Sequence, residues 1–376
     1  MTVPLQPPTF SPFLVATAPA SPVRFPLGWL LDHAGPAIQY RAVCDVARLP
    51  APPGILALPL AQPFALRLAL TQQADGSWGP SMLGVPSGSS GLANVGMING
   101  VRRLLESGWD RESPPLLRAR RLLFRLLAED DDPTYLFELR AEAACNDDLV
   151  RRGRGILREA AAAALAQAGY EGDPRLRGAA RRILERIMVY LRSPLAQKPW
   201  VRVGNRQVLA PEAAPPSIYA LTMLAFMPLF RSEHHGPMER LYQYLTQPLP
   251  RQDAMQLYGE TIVAQPHLVF GDQLPHRNSA DADVPSALVW LELMARLNFL
   301  RRNDNWSKLF DRFLDDRDRT GVWHPHKGLE GPSTGSPFVW PGFPLEEGRA
   351  AEARWTDVTF RLGLIARLSG RPIEVE

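Results

Sequence analysis

The sequence predicts an all-α fold, on three observations. Almost every periodic segment repeats its apolar residues at intervals of three and four, the spacing of one helix face. Short alternating runs bounded by turn residues are scarce, so a sheet is not expected. Loops rich in Gly, Pro and Trp recur between the helical segments. The 376 residues are 45% hydrophobic and 22% charged, which excludes a disordered chain.

Residues 1–26, which begin MTVPLQPPTF, are Pro-rich and are expected to form an N-terminal arm ahead of a single domain, 27–376. No basic stretch precedes an apolar core there, so no signal peptide is expected. Helical spacing then runs through Leu116–Leu127, Leu149–Ala166, Leu176–Leu191, Ile218–Phe230, Leu288–Leu300 and Val358–Leu368. Arg, Asp or Pro interrupts every apolar run well short of ~18 residues, so no membrane span is expected. The formal charge is +3, with lysine only at Lys198, Lys308 and Lys327. Arginines alternate with carboxylates and form no long run, so no nucleic-acid partner is expected. Two cysteines, Cys44 and Cys145, make neither a disulfide framework nor a zinc-finger set. A cytoplasmic location is the resulting expectation.

Three junctions share a pattern. They are Gln72 to Trp78, Leu195 to Trp200 and Asp315 to Trp323, and their tryptophans fall 122 and 123 residues apart. Recurrence of one element marks a repeat architecture. One set of helices is expected to begin near residues 34, 92, 145, 216, 285 and 355, and a second near 57, 113, 174, 236 and 304. Alternation of about six inner with five to six outer helices is the plan of an α/α toroid.

The segment LALTQQADGSWG (Leu68–Gly79) resembles the repeat of squalene cyclases and protein prenyltransferase β-subunits, in which a helix ends in Gln, an Asp-Gly turn and an aromatic residue. RFLDDRDRTGVWHPHKG (Arg312–Gly328) is a weaker copy, and Ala353–Arg371 resembles the last inner helix of such toroids. The physical content of the motif is a clamp. Gly takes a positive φ in the turn, Trp packs over the helix end, and Gln bonds orphan carbonyls.

The resemblance implies a terpene cyclase-like enzyme, an isomerase or lyase acting on a hydrophobic isoprenoid. Class II terpene cyclases carry Asp-x-Asp-Asp at a helix start, where the middle Asp protonates an alkene. Asp281 and Asp283 match the first and middle positions, and Val284 replaces the last. Protonating an alkene requires a neutral carboxyl in an apolar cavity. Asp283 is therefore the candidate acid and Asp281 its helper; the competing reading is that Asp283 caps a helix starting near Pro285. In a toroid the inner helix N-termini share one rim, which favours anions. Asn94, Asn99, Cys145, Asp147, Asp148, Ser217, Tyr219, Asp281, Asp283, Trp355 and Asp357 would stand there. Tyr219, Phe226, Trp290, Trp355 and Phe360 are candidate cation-stabilising rings; equally they are core.

No cofactor is expected. Asn303, Ser307 and Asp311 resemble a class I Mg2+ motif with Asp for its Glu, but the companion DDxxD is absent. Asp357 stands near the place of a prenyltransferase zinc-ligand His, and no Asp-x-Cys pair accompanies it. His324 with His326, His234 with His235, and Gly331–Gly335 are read as surface or loop features. Two alternatives stay open. One is a carbohydrate-active toroid, lyase or hydrolase, using Tyr258, Glu260, His267 and Asp272. The other is a repeat scaffold that binds a lipid or peptide without chemistry.

Overall fold

The computed structural model describes residues 22–79, 81–86, 91–128, 147–250, 252–274, 281, 283–325, 336–348 and 350–376. They are mostly helical. The α-helices are α1 (Leu27–His33), α2 (Pro36–Arg41), α3 (Pro53–Ala61), α4 (Pro63–Leu70), α5 (Met97–Glu106), α6 (Pro114–Leu126), α7 (Asp147–Gln167), α8 (Pro174–Arg192), α9 (Ile218–Ala225), α10 (Pro228–Ser232), α11 (His235–Leu245), α12 (Val284–Arg296), α13 (Asp304–Asp315) and α14 (Ala351–Leu368). A π-helix, Ala42–Ala47, continues α2.

Most of these helices start on local chemistry. Proline stands in the first turn of α2, α3, α4, α6, α8, α10 and α12, where its missing N–H costs nothing. Asp173, Ser217, Asp283 and Asn303 cap α8, α9, α12 and α13 with side-chain oxygens.

Packing follows a sequence of neighbours. The π-helix lies on α14, α14 on α12, α12 on α9, α9 on α7, and α7 on α5. Arg41 at the end of α2 then bonds Glu106 at the end of α5, returning the series to its start. The closest pairing is α7 with α9, because Ala160 to Ala166 puts an almost unbroken run of small, fully buried side chains there. The other helices pack outside this series, α3 on α2, α4 on α5, α6 and α8 on α7, and α11 on α8.

The Trp78 clamp forms as expected. Its indole donates to the Leu68 carbonyl at 2.7 Å, and Gln72 Nε2 donates to the carbonyls of Gly76 and Pro115. Gly76 has φ 95°, and Asp75 Oδ1 accepts from Ser77. Trp323 repeats the turn after Gly321 at φ 89°, with Asp318 bonding Thr320 and Val322, but not the indole bond: among the described residues its indole N–H has no partner, and its backbone N–H donates to Thr359 Oγ1 at 2.9 Å. The junction at Trp200 does not repeat it. Trp200 is half-buried, packs against Phe270 and opens a strand.

Strands correct the expectation of no sheet. A four-stranded sheet has the order β2 (Trp200–Val203), β3 (Arg206–Leu209), β4 (Met255–Tyr258), β5 (Thr261–Ala264). Two hairpins make it, each closed by a two-residue loop opening on a glycine of positive φ, Gly204 at 57° and Gly259 at 56°. A second pairing is parallel and joins β1 (Val23–Phe25) to β6 (Ile373–Val375). Residues 23–25, assigned to the arm, thus belong to the folded body. Gly363 lets this strand lie on α14, since a Cβ there would stand 2.4 Å from the Phe25 ring.

Candidate functional site

The space between the ends of α2, α5 and α12 and the middle of α14 is filled by charge. Arg361 donates to Glu292 Oε2 at 2.5 Å and to Glu106 Oε2 at 2.8 Å. Arg41 reaches the same Glu106 oxygen at 2.5 Å, and Arg296 pairs with Glu292 at 2.8 Å. Gln167 covers the second Glu106 oxygen at 2.6 Å. All of these residues but Gln167 and Arg296 are over nine-tenths buried. Burial alone would raise both carboxyls, but the facing guanidiniums outweigh it and hold them below the usual range. These groups satisfy one another and are structural.

A cavity of about 250 Å3 opens at the start of α7 and α9, beneath the β4–β5 hairpin. The first half of α7 brings Arg152 and Glu159, and α8 brings Arg186. The hairpin and the segment after it bring Gln256 and His267, and Ile156, Pro215 and Leu268 give an apolar wall. Local structure fixes each part. Ser217 caps α9, donates its hydroxyl hydrogen to Glu159 and pairs with Leu268 in a β-bridge. That bridge sets the His267 backbone, whose carbonyl accepts from Ile218. Gln256 Nε2 donates to the carbonyls of Ala210 and Ala213, which holds its Oε1 toward Arg152 at 3.0 Å.

The electrostatics are unbalanced. Arg152 is held by neutral groups, namely Gln256, the Pro211 carbonyl and the Tyr258 ring 4.2 Å away. Arg186 pairs with Glu159, yet burial and the cations of Arg158 and Arg152 lower its affinity for its proton. His267 is nine-tenths buried and lines the cavity, and among the described residues nothing hydrogen-bonds its ring. Burial first, then the Arg152 charge, pushes its pKa down to about 4. Among the described residues the pocket therefore pairs a neutral imidazole with a cation whose direct contacts are neutral, Asp148 and Glu212 acting on it only through their field, an arrangement able to receive an anion and move a proton.

The expected rim residues meet different local environments. Asp283 is exposed and caps α12, accepting from the Ser286 N–H at 3.1 Å and hydroxyl at 2.6 Å. Asp281 pairs with Arg312. Among the described residues neither lines the two cavities found, and the exposed, capping position of Asp283 is not the buried apolar setting expected for an alkene-protonating acid. Asn94 and Asp147 are exposed. Asn99 is buried and donates to the Leu83 carbonyl at 2.6 Å. Asp357 is buried, accepting from the N–H groups of Leu345 and Glu346 and from Arg354.

Tyr219, Trp290 and Phe360 are buried core rings, packed on Phe338, Trp306 and the guanidinium of Arg41 respectively. Trp355 meets His324 edge-on. Phe226 lies under the Arg296 guanidinium, 4.2 Å away. Cys145, His326 and Gly331–Gly335 lie outside the described residues. Asn303, Ser307 and Asp311 each serve other partners: the Trp306 N–H, the Leu300 carbonyl and Arg371. Among the described residues no group of three His, Cys, Asp or Glu converges as a metal site. Of the alternative set, His267 lines the pocket and Tyr258 backs Arg152. Glu260 is exposed at the hairpin tip, and Asp272 is buried under Trp306, accepting its indole N–H at 2.8 Å. Arg152, Glu159 and Arg186 went unnoticed in the sequence; their spacing is that of ordinary polar helix faces.

No single described helix is long and apolar enough to cross a membrane; the bent pair α3–α4 passes that test by length and composition only. No family model, no curated protein and no solved structure matches this chain.

Proposed function

We propose that this chain is an α/α toroid acting on a small acidic sugar, at the pocket beneath the β4–β5 hairpin. The inner ring would be α2 with its π-helix, α5, α7, α9, α12 and α14. The succession of neighbours and the outer placement of the alternate helices support that arrangement.

One observation carries the chemistry: a buried imidazole without a hydrogen-bond partner among the described residues, beside Arg152, whose direct contacts there are neutral although the charges of Asp148 and Glu212 reach it. A substrate carboxylate would bind Arg152. It would thereby remove part of the field that suppresses His267, so the base strengthens as substrate arrives. Neutralising the carboxylate also acidifies the C–H beside it. His267 would take that proton. The electron pair would form a carbon–carbon double bond as the neighbouring glycosidic C–O bond breaks, and solvent would protonate the leaving oxygen. A cavity of about 250 Å3 would take one sugar ring, with Ile156 and Leu268 against its apolar face.

The isoprenoid cyclase remains the rival proposal, resting on Asp283; the exposure of that carboxyl and the absence of Tyr219, Trp290 and Phe360 from the pocket lining weigh against it. The deciding assay incubates the protein with uronate-containing oligosaccharides and, separately, with squalene-type polyenes and prenyl diphosphates. The expected outcome is an unsaturated sugar, detected by its ultraviolet absorbance, from wild type and none from His267→Gln. Cyclised polyene with no unsaturated sugar would overturn the proposal in favour of the cyclase.

A further inference from the structure

A larger cavity, about 580 Å3, lies where the inner helices finish. This is within the roughly 300–1,000 Å3 of small-molecule sites. All six series members reach it, through Tyr40–Arg48, Leu105–Glu106, Gln167, Phe226, Arg296 and Leu364–Leu368. Helix C-termini carry partial negative charge, so some arginine here is expected as capping. The census exceeds that need. Five arginines line the space against three carboxylates, Asp45, Glu106 and Asp110. Arg41 and Arg296 are matched by Glu106, Asp45 and Glu292. Arg111 takes the Gly169 carbonyl and Glu112.

Two arginines have no carboxylate among the described residues. Arg367 gives only its Nε, to the Val46 carbonyl at 2.7 Å. Arg48 makes no side-chain bond there. Burial and the charge of Arg48 both lower the Arg367 pKa, so the two guanidiniums are near enough to repel. The backbone holds Arg48 in place at a cost. It ends the π-helix in a left-handed conformation, φ 57°, which a non-glycine residue adopts only when its surroundings impose it. π-Helical turns concentrate at functional sites.

We infer that this mouth is a second site, taking a phosphorylated, hydroxyl-bearing small molecule such as a sugar phosphate. The phosphate sits between Arg48 and Arg367, which offer forked N–H donors to it. Asp45 and Asp110, both at the cavity wall, accept from the hydroxyls. The site is independent of the proposed elimination, since the Arg361 network fills the space beside it and none of its residues lines the other pocket.

Titration calorimetry of the full chain with glucose 6-phosphate, inorganic phosphate and glucose tests the assignment. Glucose 6-phosphate should bind, phosphate about tenfold more weakly, and glucose not measurably. Arg48→Gln and Arg367→Gln should each weaken glucose 6-phosphate about tenfold, while His267→Gln leaves it unchanged. Arg48→Gln removes no hydrogen bond or ion pair among the described residues, so a folding defect is not expected to confound it. Absence of binding by wild type, or binding indifferent to both arginine variants, overturns the site. Equal affinity for phosphate and glucose 6-phosphate overturns the role of Asp45 and Asp110. Loss of binding in His267→Gln places the ligand in the other pocket and overturns the assignment as well.

Discussion

On the floor of the larger cavity each buried charge faces an opposite one: Arg41 faces Glu106 and Asp45, and Arg296 faces Glu292. Beneath the β4–β5 hairpin, Arg152 faces an amide, a carbonyl and a phenol ring, and His267 faces open space. Both regions bury polar atoms at the cost of their hydration. In the first, the protein itself supplies compensation, so the charges hold helices together. In the second, the direct contacts are neutral and the charges of Asp148 and Glu212 act through space, so the proposed substrate carboxylate would supply the missing contact. A buried charge marks a site only when its partners do not balance it.

The largest effect should come from breaking a balanced set. Arg361→Met leaves Glu106 and Glu292 buried without their shared guanidinium. It should cost about 3–5 kcal/mol in urea unfolding. A shift below about 0.5 kcal/mol would mean that the network is not structural, and the contrast would fail.

The unbalanced pocket should reveal itself through pH. The folded pKa of His267 is about 4, below its ordinary 6.5. Between those values the unfolded chain binds the extra proton, so stability is present above pH 6.5 and is lost as pH falls toward 4. This group should account for about 3 kcal/mol of that loss. His267→Gln should remove that component from a series of denaturation curves. Glu346 supplies the opposite sign. Burial, with the charge of Asp357, pushes its carboxyl up to about 7 from 4.5, against the Gly35 N–H bond and Arg354. Its contribution is present below pH 4.5 and lost as pH rises toward 7. Glu346→Gln should therefore flatten stability between these limits where His267→Gln flattens it in the other sense. Identical profiles for both variants and wild type would contradict both directions.

A smaller effect belongs to Asp283. As a cap it should cost about 1 kcal/mol on replacement by Ala and almost nothing by Asn, with turnover of an acidic sugar unchanged in both. Loss of turnover in Asp283→Asn would move the chemistry back to the helix start. Least of all, Arg48→Gln should alter stability by no more than about 0.5 kcal/mol, because the side chain is exposed and unbonded among the described residues. A drop of several times that size in thermal unfolding would make Arg48 a structural residue.

Helices were legible to within a few residues. Starts expected near 34, 92, 145, 216, 285 and 355 occur at 36, 97, 147, 218, 284 and 351. Apolar periodicity and Pro or Asp at the first turn are local signals, and they survive into the structure. The hairpins were missed although WVRVGNRQVL and MQLYGETIVA each hold a Gly-initiated two-residue turn, because four-residue strands give too few alternations to count. The pocket was half legible. His267 and Tyr258 stood out as isolated reactive residues between helices. Arg152 did not, since nothing local distinguishes it from Arg151; its partner Gln256 lies 104 residues away.

The parallel pairing of Val23–Phe25 with Ile373–Val375 has a consequence for the order of events during synthesis. Residues 23–25 are made long before Ile373–Val375 and must wait for that partner. At roughly 5–20 residues per second, that interval is on the order of tens of seconds. Until Ile373–Val375 is made, Phe25 lacks its paired strand and the Glu376 N–H that reaches its carbonyl at 3.0 Å. The β1–β6 seam thus cannot close before that segment is made, and a nascent chain halted ahead of it would carry the seam open.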